Sequence, residues 1–370
     1  MDIKEAREQI HRIDTEMAEL FVRRMDTVRE IAAYKQKHGL PVEDRKQEAR
    51  VIEAHSSRVS DETMRSFYIQ FLQNTMDVSK RWQHRLMNGI QVAYCGVEGA
   101  FACIAAKRIF PDGTTVSFPS FEKAYESVVC GECDIAVLPI ENSFAGEVGQ
   151  VMDLMFSGNL YVNGVYDLSV THDLLGVPRA HVEDIQKVIS HPQALAQCGK
   201  YIREHGYDAV NAENTAIAAQ KVAEKGDVHT AAIASRESAE LYGLRVLDHD
   251  INDSRSNTTR FAVFSRAGSY VPDKKEGGAF MLLFTVNDES GGLAKAVNII
   301  SAYGFNMRVL RSRPMKELPW HYYFYAEIEG SDTSENGRRM LSALEGACPM
   351  VKVIGHYKAA VNAQQGGESI

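Results

Sequence analysis

Glycine is nearly absent from the first 88 residues: Gly39 stands alone there and the other 26 glycines follow. Long apolar runs are absent as well, which excludes a membrane-spanning helix. The charged opening Met1-Asp2-Ile3-Lys4-Glu5 argues against a secretory signal, so a cytoplasmic location is expected. Positive charge is not in excess: 41 Lys+Arg against 49 Asp+Glu leave a formal net charge of −8. Without a basic stripe, nucleic acid is not an expected partner. Six cysteines scattered over 370 residues do not make a disulfide framework and read as reduced thiols. Cys130-Gly131-Glu132-Cys133 has CxxC spacing but no second pair, and the 12 histidines show no ligand spacing, so no metal is expected. Gly96-x-x-Gly99 lacks the third glycine of a dinucleotide fingerprint, so no cofactor is expected. No repeat of solenoid period is present. What remains is a soluble, folded balance, 45% apolar and 24% charged, with length for two or three domains.

Charge divides the chain where glycine does. Residues 1–88 carry 16 basic and 15 acidic side chains, and the rest carry 25 and 34. Two kinds of domain meet near Asn88-Gly89. In the first, apolar residues from Ile3 to Ile31 recur at three- and four-residue steps, predicting a helix that ends at Gly39-Leu40-Pro41. At 1.5 Å per residue it is a rod of about 50 Å. Shorter helices are predicted at 43–56 and 61–87, the last with Ser60 as its N-cap. A rod longer than its neighbours cannot bury its stripe alone, so an intertwined helical dimer is expected.

Polar residues interrupt these stripes. Arg24 and Lys35 continue the apolar series of the first helix, with Arg7 beside it; Asp44 and Glu48, and Ser79 and Gln83, lie four apart. Snorkelling explains one such residue. Three cations, two carboxylates and an amide on one bundle indicate a pocket for a small dicarboxylate. The pattern resembles the all-helical chorismate mutase family through Arg7-x-x-Ile10-x-x-x-Asp14, Arg24, Lys35, Pro41-Val42-x-Asp44, Glu48 and Ser79-x-x-x-Gln83. The resemblance implies that Arg24 and a partner chain's Arg7 hold the carboxylates of chorismate. It also implies that Lys35 and Gln83 donate to the ether oxygen, and that Asp44, Glu48 and Ser79 hold the hydroxyl and support the site. A Claisen rearrangement needs only a folded substrate and donors aimed at the developing oxyanion. Gln47 stands where the family usually has arginine, which weakens the expectation for mutase activity.

Residues 89–268 alternate strands and helices, predicting parallel sheets with polar ligands at the strand ends. Polar clusters are expected directly after strands: Glu141-Asn142-Ser143, Ser190-His191-Pro192-Gln193 with Gln197, and Asn257-Thr258-Thr259-Arg260-Phe261. Together with Gly96-x-x-Gly99-Ala100-Phe101, His172-Asp173-Leu174-Leu175 and AAIAS at 231–235, these resemble prephenate dehydratase. The resemblance implies a two-lobed α/β fold, like a periplasmic binding protein, with prephenate between the lobes. Thr259 is then nearest the leaving hydroxyl, with Glu141, Asn142, Ser190 and Gln197 around the substrate and Arg260 as an anion contact. Val97 and Ala102-Cys103 depart from the family's usual proline and Ser-His.

Beyond a linker at 267–278, the pattern is βαββαβ, an α+β ferredoxin-like plan over 278–358. It resembles the ACT regulatory domain through Gly291-Gly292-Leu293 and Arg311-Ser312-Arg313-Pro314, which implies an allosteric L-phenylalanine site and a homodimer or homotetramer. Gly292 and Arg311 replace the usual alanine and glutamate. Arg311 is expected either to face the effector or to face solvent. The tail, 359–370, is expected to be disordered. The reading is a bifunctional enzyme of phenylalanine synthesis, with a chorismate mutase in 1–88, a prephenate dehydratase in 89–268 and an ACT module. The rivals are a mutase–dehydrogenase fusion, disfavoured by the missing nucleotide fingerprint, a non-catalytic amino-acid sensor, and an arogenate-preferring dehydratase with a weak mutase.

Overall fold

The computed structural model describes residues 2–254, 256–268, 278–316, 318–358 and 361–362. It divides into two units, Met1–Gln91 and Val92–Ile370.

The first unit is helical: α1 (Ile3–His38), α2 (Arg45–Ser56) and α3 (Glu62–Asn88). Helix α1 starts with a capping box between Asp2 and Glu5 and stops at Gly39, as the Gly-Leu-Pro signal predicts. The cap of α3 is Asp61 rather than Ser60; its carboxylate accepts from the Met64 N–H at 2.7 Å. A carboxylate suits the positive helix end better than a hydroxyl, because it adds a charge–dipole attraction. Little is buried within this unit: Val28 and Ala32 of α1, and Met76, Ser79 and Gln83 of α3. Ile3, Ile10, Met17, Leu20 and Phe21 are 44–66% exposed along α1.

The second unit opens with β1 (Gln91–Cys95), α4 (Phe101–Ile109), β2 (Thr114–Phe118), α5 (Phe121–Cys130), β3 (Ile135–Asn142), β4 (Gly146–Glu147), α6 (Gly149–Ser157) and β5 (Tyr161–Ser169). The chain then crosses to a second lobe. This holds β6 (Asp173–Gly176), β7 (Lys187–Ser190), α7 (Pro192–Gln197), α8 (Gly199–His205) and β8 (Asp208–Asn211). It continues with α9 (Thr215–Lys225), β9 (Thr230–Ala234), α10 (Arg236–Tyr242) and β10 (Arg245–Asp248), and β11 (Thr258–Ser265) returns to the first lobe. The sheets are mixed, not parallel as predicted. In β5-β11-β3-β1-β2, the returning β11 runs antiparallel to both neighbours; in β10-β6-β9-β7-β8, β6 and β10 are antiparallel. The strands that break the parallel order are those that follow a crossing between lobes, β6 after the first and β11 after the return.

The C-terminal elements are β12 (Gly278–Thr285), α11 (Gly292–Ala302), β13 (Met307–Pro314), β14 (Tyr322–Glu329), α12 (Glu335–Glu345), β15 (Met350–Lys358) and β16 (Val361–Asn362). Four of the strands form an antiparallel sheet, β13-β14-β12-β15, as the βαββαβ order predicts. This sheet continues into the first lobe, because β15 pairs with β5 at Gly355 and Val162. A Cβ at Gly355 would collide with the Val162 carbonyl, so only glycine permits that approach. One apolar core runs through the junction, joining Leu138, Met152 and Phe264 to Met281, Leu283 and Tyr325. The tail expected to be disordered lies outside the described residues, except that Val361–Asn362 pair with β5. Residues 269–277 of the linker also lie outside them. Among the described residues no helix is long and apolar enough to cross a membrane.

Candidate active sites

In the helical unit, α1 and α3 bring Arg24 and Ser79 together. The Arg24 guanidinium donates to the Ser79 hydroxyl and, at 3.4 Å, to the Thr75 carbonyl. Burial lowers its pKa from the ordinary arginine value. Lys35, about three turns beyond Arg24 on α1, donates to the Val42 carbonyl at 2.6 Å and so anchors the segment before α2. Asp44 is the cap of α2, accepting from the Gln47 N–H at 3.0 Å. Glu48 meets Lys80 at 3.3 Å, and Lys80 also reaches Asp77 at 2.9 Å. Lys80 was not singled out by the sequence pattern, although it lies one residue after Ser79. Gln83 is 7% exposed and its Oε1 accepts no hydrogen bond. Arg7 is exposed and stands apart from this cluster in sequence and burial.

In the second unit the predicted residues lie at the ends of strands, except Gln197, which ends α7. Glu141 and Asn142 end β3, paired with β4 and β11, and Thr258 and Thr259 begin β11. The hairpin through Gly146 and the returning strand extend the ladder past the point where apolar alternation stops. Two adjacent rows then cross the strands. One holds Leu168, Thr259, Asn142 and Gly146; the next holds Asp167, Arg260, Glu141 and Glu147. Successive strand residues point to opposite faces, so Thr259 with Asn142 and Arg260 with Glu141 serve different sides.

On the first side, the Asn142 amide donates to Thr259 Oγ1 and to Asn257 Oδ1, both at 2.9 Å. Its own oxygen accepts from the Phe144 and Ala145 N–H groups at 3.0 and 2.9 Å, which fixes the amide's orientation. Asn257 then donates to Gln197 Oε1 at 2.9 Å, and His172 Nε2 lies 3.0 Å from the same oxygen. This polar chain runs from one lobe to the other. His172 and Asn257 lie on the two connections between lobes, residues 170–172 and 249–257. These run side by side, joined by Val170 N–H to Asn257 carbonyl and Ile251 N–H to His172 carbonyl bonds of 2.8 and 2.9 Å. Burial lowers the His172 pKa, with opposing pulls from Gln197 and Asp173. Its ring packs edge-on to Phe101 at 5.6 Å, and its Nδ1 has no partner. Neither His172 nor Asn257 was among the candidate residues, although both lie in the motifs HDLL and NTTRF. Ser190 is fully buried and donates to the Ile233 carbonyl at 2.5 Å, so it braces β7 on β9 instead of facing the cleft. The lobes also touch through Arg108–Glu237 at 2.5 Å and Ser238 to the Gly99 carbonyl at 3.2 Å.

On the other side, Arg260 is not open to an anion as expected. It bonds Glu327 of β14 in bidentate fashion at 2.8 and 2.9 Å, and reaches Glu141 at 3.3 Å. Glu327 is 2% exposed and also accepts from the Tyr325 and Tyr357 hydroxyls. Burial pushes its pKa up, but Arg260 and the tyrosines more than offset this and hold it below the usual glutamate value. Arg311 does not stand free in solvent: it pairs with Glu141. Arg313 bonds Glu147 at 2.5 Å and Asp153 at 3.2 Å, and Ser312 and Pro314 alternate outward. Gly291 caps α11, ahead of Gly292 and Leu293. Among the described residues no cluster of His, Cys, Asp and Glu is arranged to hold a metal.

Comparison with known proteins fits this division. The family model for prephenate dehydratase matches residues 92–269, and that for chorismate mutase type II matches residues 6–84. An arogenate dehydratase/prephenate dehydratase of Arabidopsis thaliana is 32% identical, covering 72% of this chain and 72% of its own. A bifunctional chorismate mutase/prephenate dehydratase of Aquifex aeolicus is 28% identical over 97% of this chain and 99% of its own. The crystal structure of a prephenate dehydratase from Arthrobacter aurescens in complex with L-Phe superimposes with a TM-score of 0.67 at 27% identity, covering 76% of this chain and 93% of that one. The helical unit, the two-lobed unit and both matches agree: the chain belongs to the prephenate dehydratase family, among members that carry a type II chorismate mutase domain ahead of the dehydratase.

Proposed function

We propose how this chain's residues carry the two activities of its family, chorismate mutase and prephenate dehydratase, in phenylalanine biosynthesis. The observation that carries the dehydratase reading is the Asn142 amide, whose hydrogen bonds hold Thr259 Oγ1 in place at the junction of the lobes. Prephenate loses its ring hydroxyl as water and a ring carboxylate as carbon dioxide. The electron pair of the breaking C–C bond enters the ring, which becomes aromatic and leaves phenylpyruvate. A proton must reach the departing oxygen, and a neutral threonine hydroxyl is a weak acid, so Thr259 orients and hydrogen-bonds that oxygen. Gln197 and Asn257 set the distance between lobes, and the closed cleft excludes water. Glu141 and Arg260 act from behind, holding the strand ends that bear Asn142 and Thr259. Ser190 supports the second lobe.

For the mutase, Arg24 and a partner copy's Arg7 hold the two carboxylates of chorismate, while Lys35 and Gln83 donate to the ether oxygen. Asp44, Glu48 and Ser79 support them. Gln83 Oε1, buried without a hydrogen-bond partner, and the exposed apolar face of α1 favour a dimer in which a second copy completes the site.

Residues 278–358 form the ACT module, with L-phenylalanine as the allosteric effector. Its strand order and the L-Phe complex of the related structure favour this. At Gly292 a Cβ would lie 2.5 Å from the Asn287 carbonyl, so the loop before α11 sits closer than alanine would permit. A non-catalytic sensor is disfavoured by membership of an enzyme family. An arogenate preference remains as a second reading because of the Arabidopsis relative's name. The test is to supply chorismate, prephenate and arogenate separately, with and without L-phenylalanine, and to measure prephenate, phenylpyruvate and phenylalanine. Turnover of chorismate and prephenate, inhibited by L-phenylalanine, is expected. Turnover of arogenate above prephenate reassigns the substrate, and turnover of none overturns the reading.

A further inference from the structure

The row Asp167, Arg260, Glu141 and Glu147 places three carboxylates and one cation on one face of four adjacent strands. Glu141 and Glu147 are directly opposite each other, a repulsive arrangement unless a cation lies over them. Arg260 does not balance the row, because two of its nitrogens are taken by Glu327 and it reaches Glu141 at only 3.3 Å. The missing charge comes from another part of the chain. On β13, side chains alternate inward at Arg311 and Arg313 and outward at Leu310 and Ser312. Arg311 Nη2 bonds Glu141 Oε1, and its Nη1 lies 4.0 Å from Glu147. Both oxygens of Glu141 are therefore held by guanidiniums, one from β11 and one from β13. The next residue along β3 is Asn142, which orients Thr259.

We propose that Arg311 is a positioning residue for the dehydratase reaction: by clamping Glu141 against β11 it fixes the ends of β3 and β11, and hence Asn142 and Thr259. The dehydratase site of this chain is then incomplete within residues 92–268 and needs the C-terminal module. The inference rests on Thr259 and Asn142 forming the dehydratase centre. A guanidinium that reaches two carboxylates at once, Glu141 through Nη2 and Glu147 through Nη1, is specific for arginine, since lysine offers a single charged point.

The experiment measures prephenate turnover of the full chain with Arg311→Ala, Arg311→Lys, Glu141→Gln, the double variant Glu141→Gln/Arg311→Ala, and Thr259→Ala. For Arg311→Ala, kcat is expected to fall about tenfold or more while KM for prephenate changes little. Arg311→Lys should recover part of the loss, and chorismate turnover should stay at wild-type level. Because Arg311 acts through Glu141, adding Arg311→Ala to Glu141→Gln should cost no more than a further factor of about two. If Arg311→Ala does not fold, Arg311→Lys and Arg311→Gln replace it, with kcat expected in the order Arg, Lys, Gln. A wild-type kcat in Arg311→Ala, or losses that multiply in the double variant, overturns the proposal. An active Thr259→Ala enzyme overturns instead the placement of the dehydratase centre on which it rests.

Discussion

The two units treat their candidate residues in opposite ways. In the α/β unit nearly every polar atom of the proposed site is already bonded: Thr259 to Asn142, Asn142 to Asn257, and Asn257 to Gln197. In the helical unit Gln83 Oε1 and Trp82 Nε1 are buried without hydrogen-bond partners, as are Asp167 Oδ1 and His172 Nδ1 in the α/β unit; what sets the helical unit apart is the open face lined by apolar side chains. A site preassembled within one chain depends on that chain's own connections. A site beside an uncovered apolar stripe depends on something added; the proposed addition is a second copy.

The largest test of that contrast is Thr259→Ala. Prephenate turnover should drop by about 10²–10⁴-fold with chorismate turnover unchanged; parallel loss of both would erase the division into two sites. Next is Glu327→Ala, which strands Arg260 beside Asp167 and leaves Tyr325 and Tyr357 without their acceptor. Breaking a buried pair in this way costs about 3–5 kcal/mol, so denaturant unfolding of the α/β unit should shift while the helical unit's transition stays put. A common shift would show that the two units unfold together. Arg24→Ala should lower chorismate turnover by about 10²-fold and spare prephenate turnover. Mixing it with Arg7→Ala sharpens the comparison. If the site draws on two copies, mixed dimers regain one intact site each, and refolded equal mixtures recover roughly a quarter of wild-type activity under random pairing. No recovery would place both arginines in a single chain's site.

The smallest effect is in pH. Burial holds the His172 pKa below its ordinary value of 6.5. The unfolded chain therefore takes up this proton first as pH falls. The contribution to stability is complete above about pH 6.5 and is lost as pH drops toward the lowered folded value. His172→Asn should flatten the urea midpoint between pH 7.5 and 5.5, and an unchanged slope would show that other groups govern it.

Much of the site was legible as motif and little of it as geometry. Asn142 and Thr259 stand out in LPIENS and NTTRF, and the helical spacing of Arg24, Lys35, Ser79 and Gln83 is readable because a helix fixes its own faces locally. Ser190 in SHPQ was placed around the substrate in the same way, but its hydroxyl is bonded within its own sheet. His172 and Asn257 were read only as parts of motifs, without a role, because what brings them together is the pairing of two interlobe connections some 80 residues apart in sequence.

Local information determined the scarcity of glycine in the first 88 residues, the three helices it permits, the alternation that follows and the βαββαβ order at the end. These depend on periodicity and caps within a few residues. Tertiary structure decided which rows of the long sheet carry charge, that the returning β11 runs antiparallel, and that Arg311 lies over Glu141. Those outcomes depend on strand register and packing between segments that are mostly about ninety or more residues apart. A shift of one residue in register exchanges the two faces of a strand, and no local pattern specifies it.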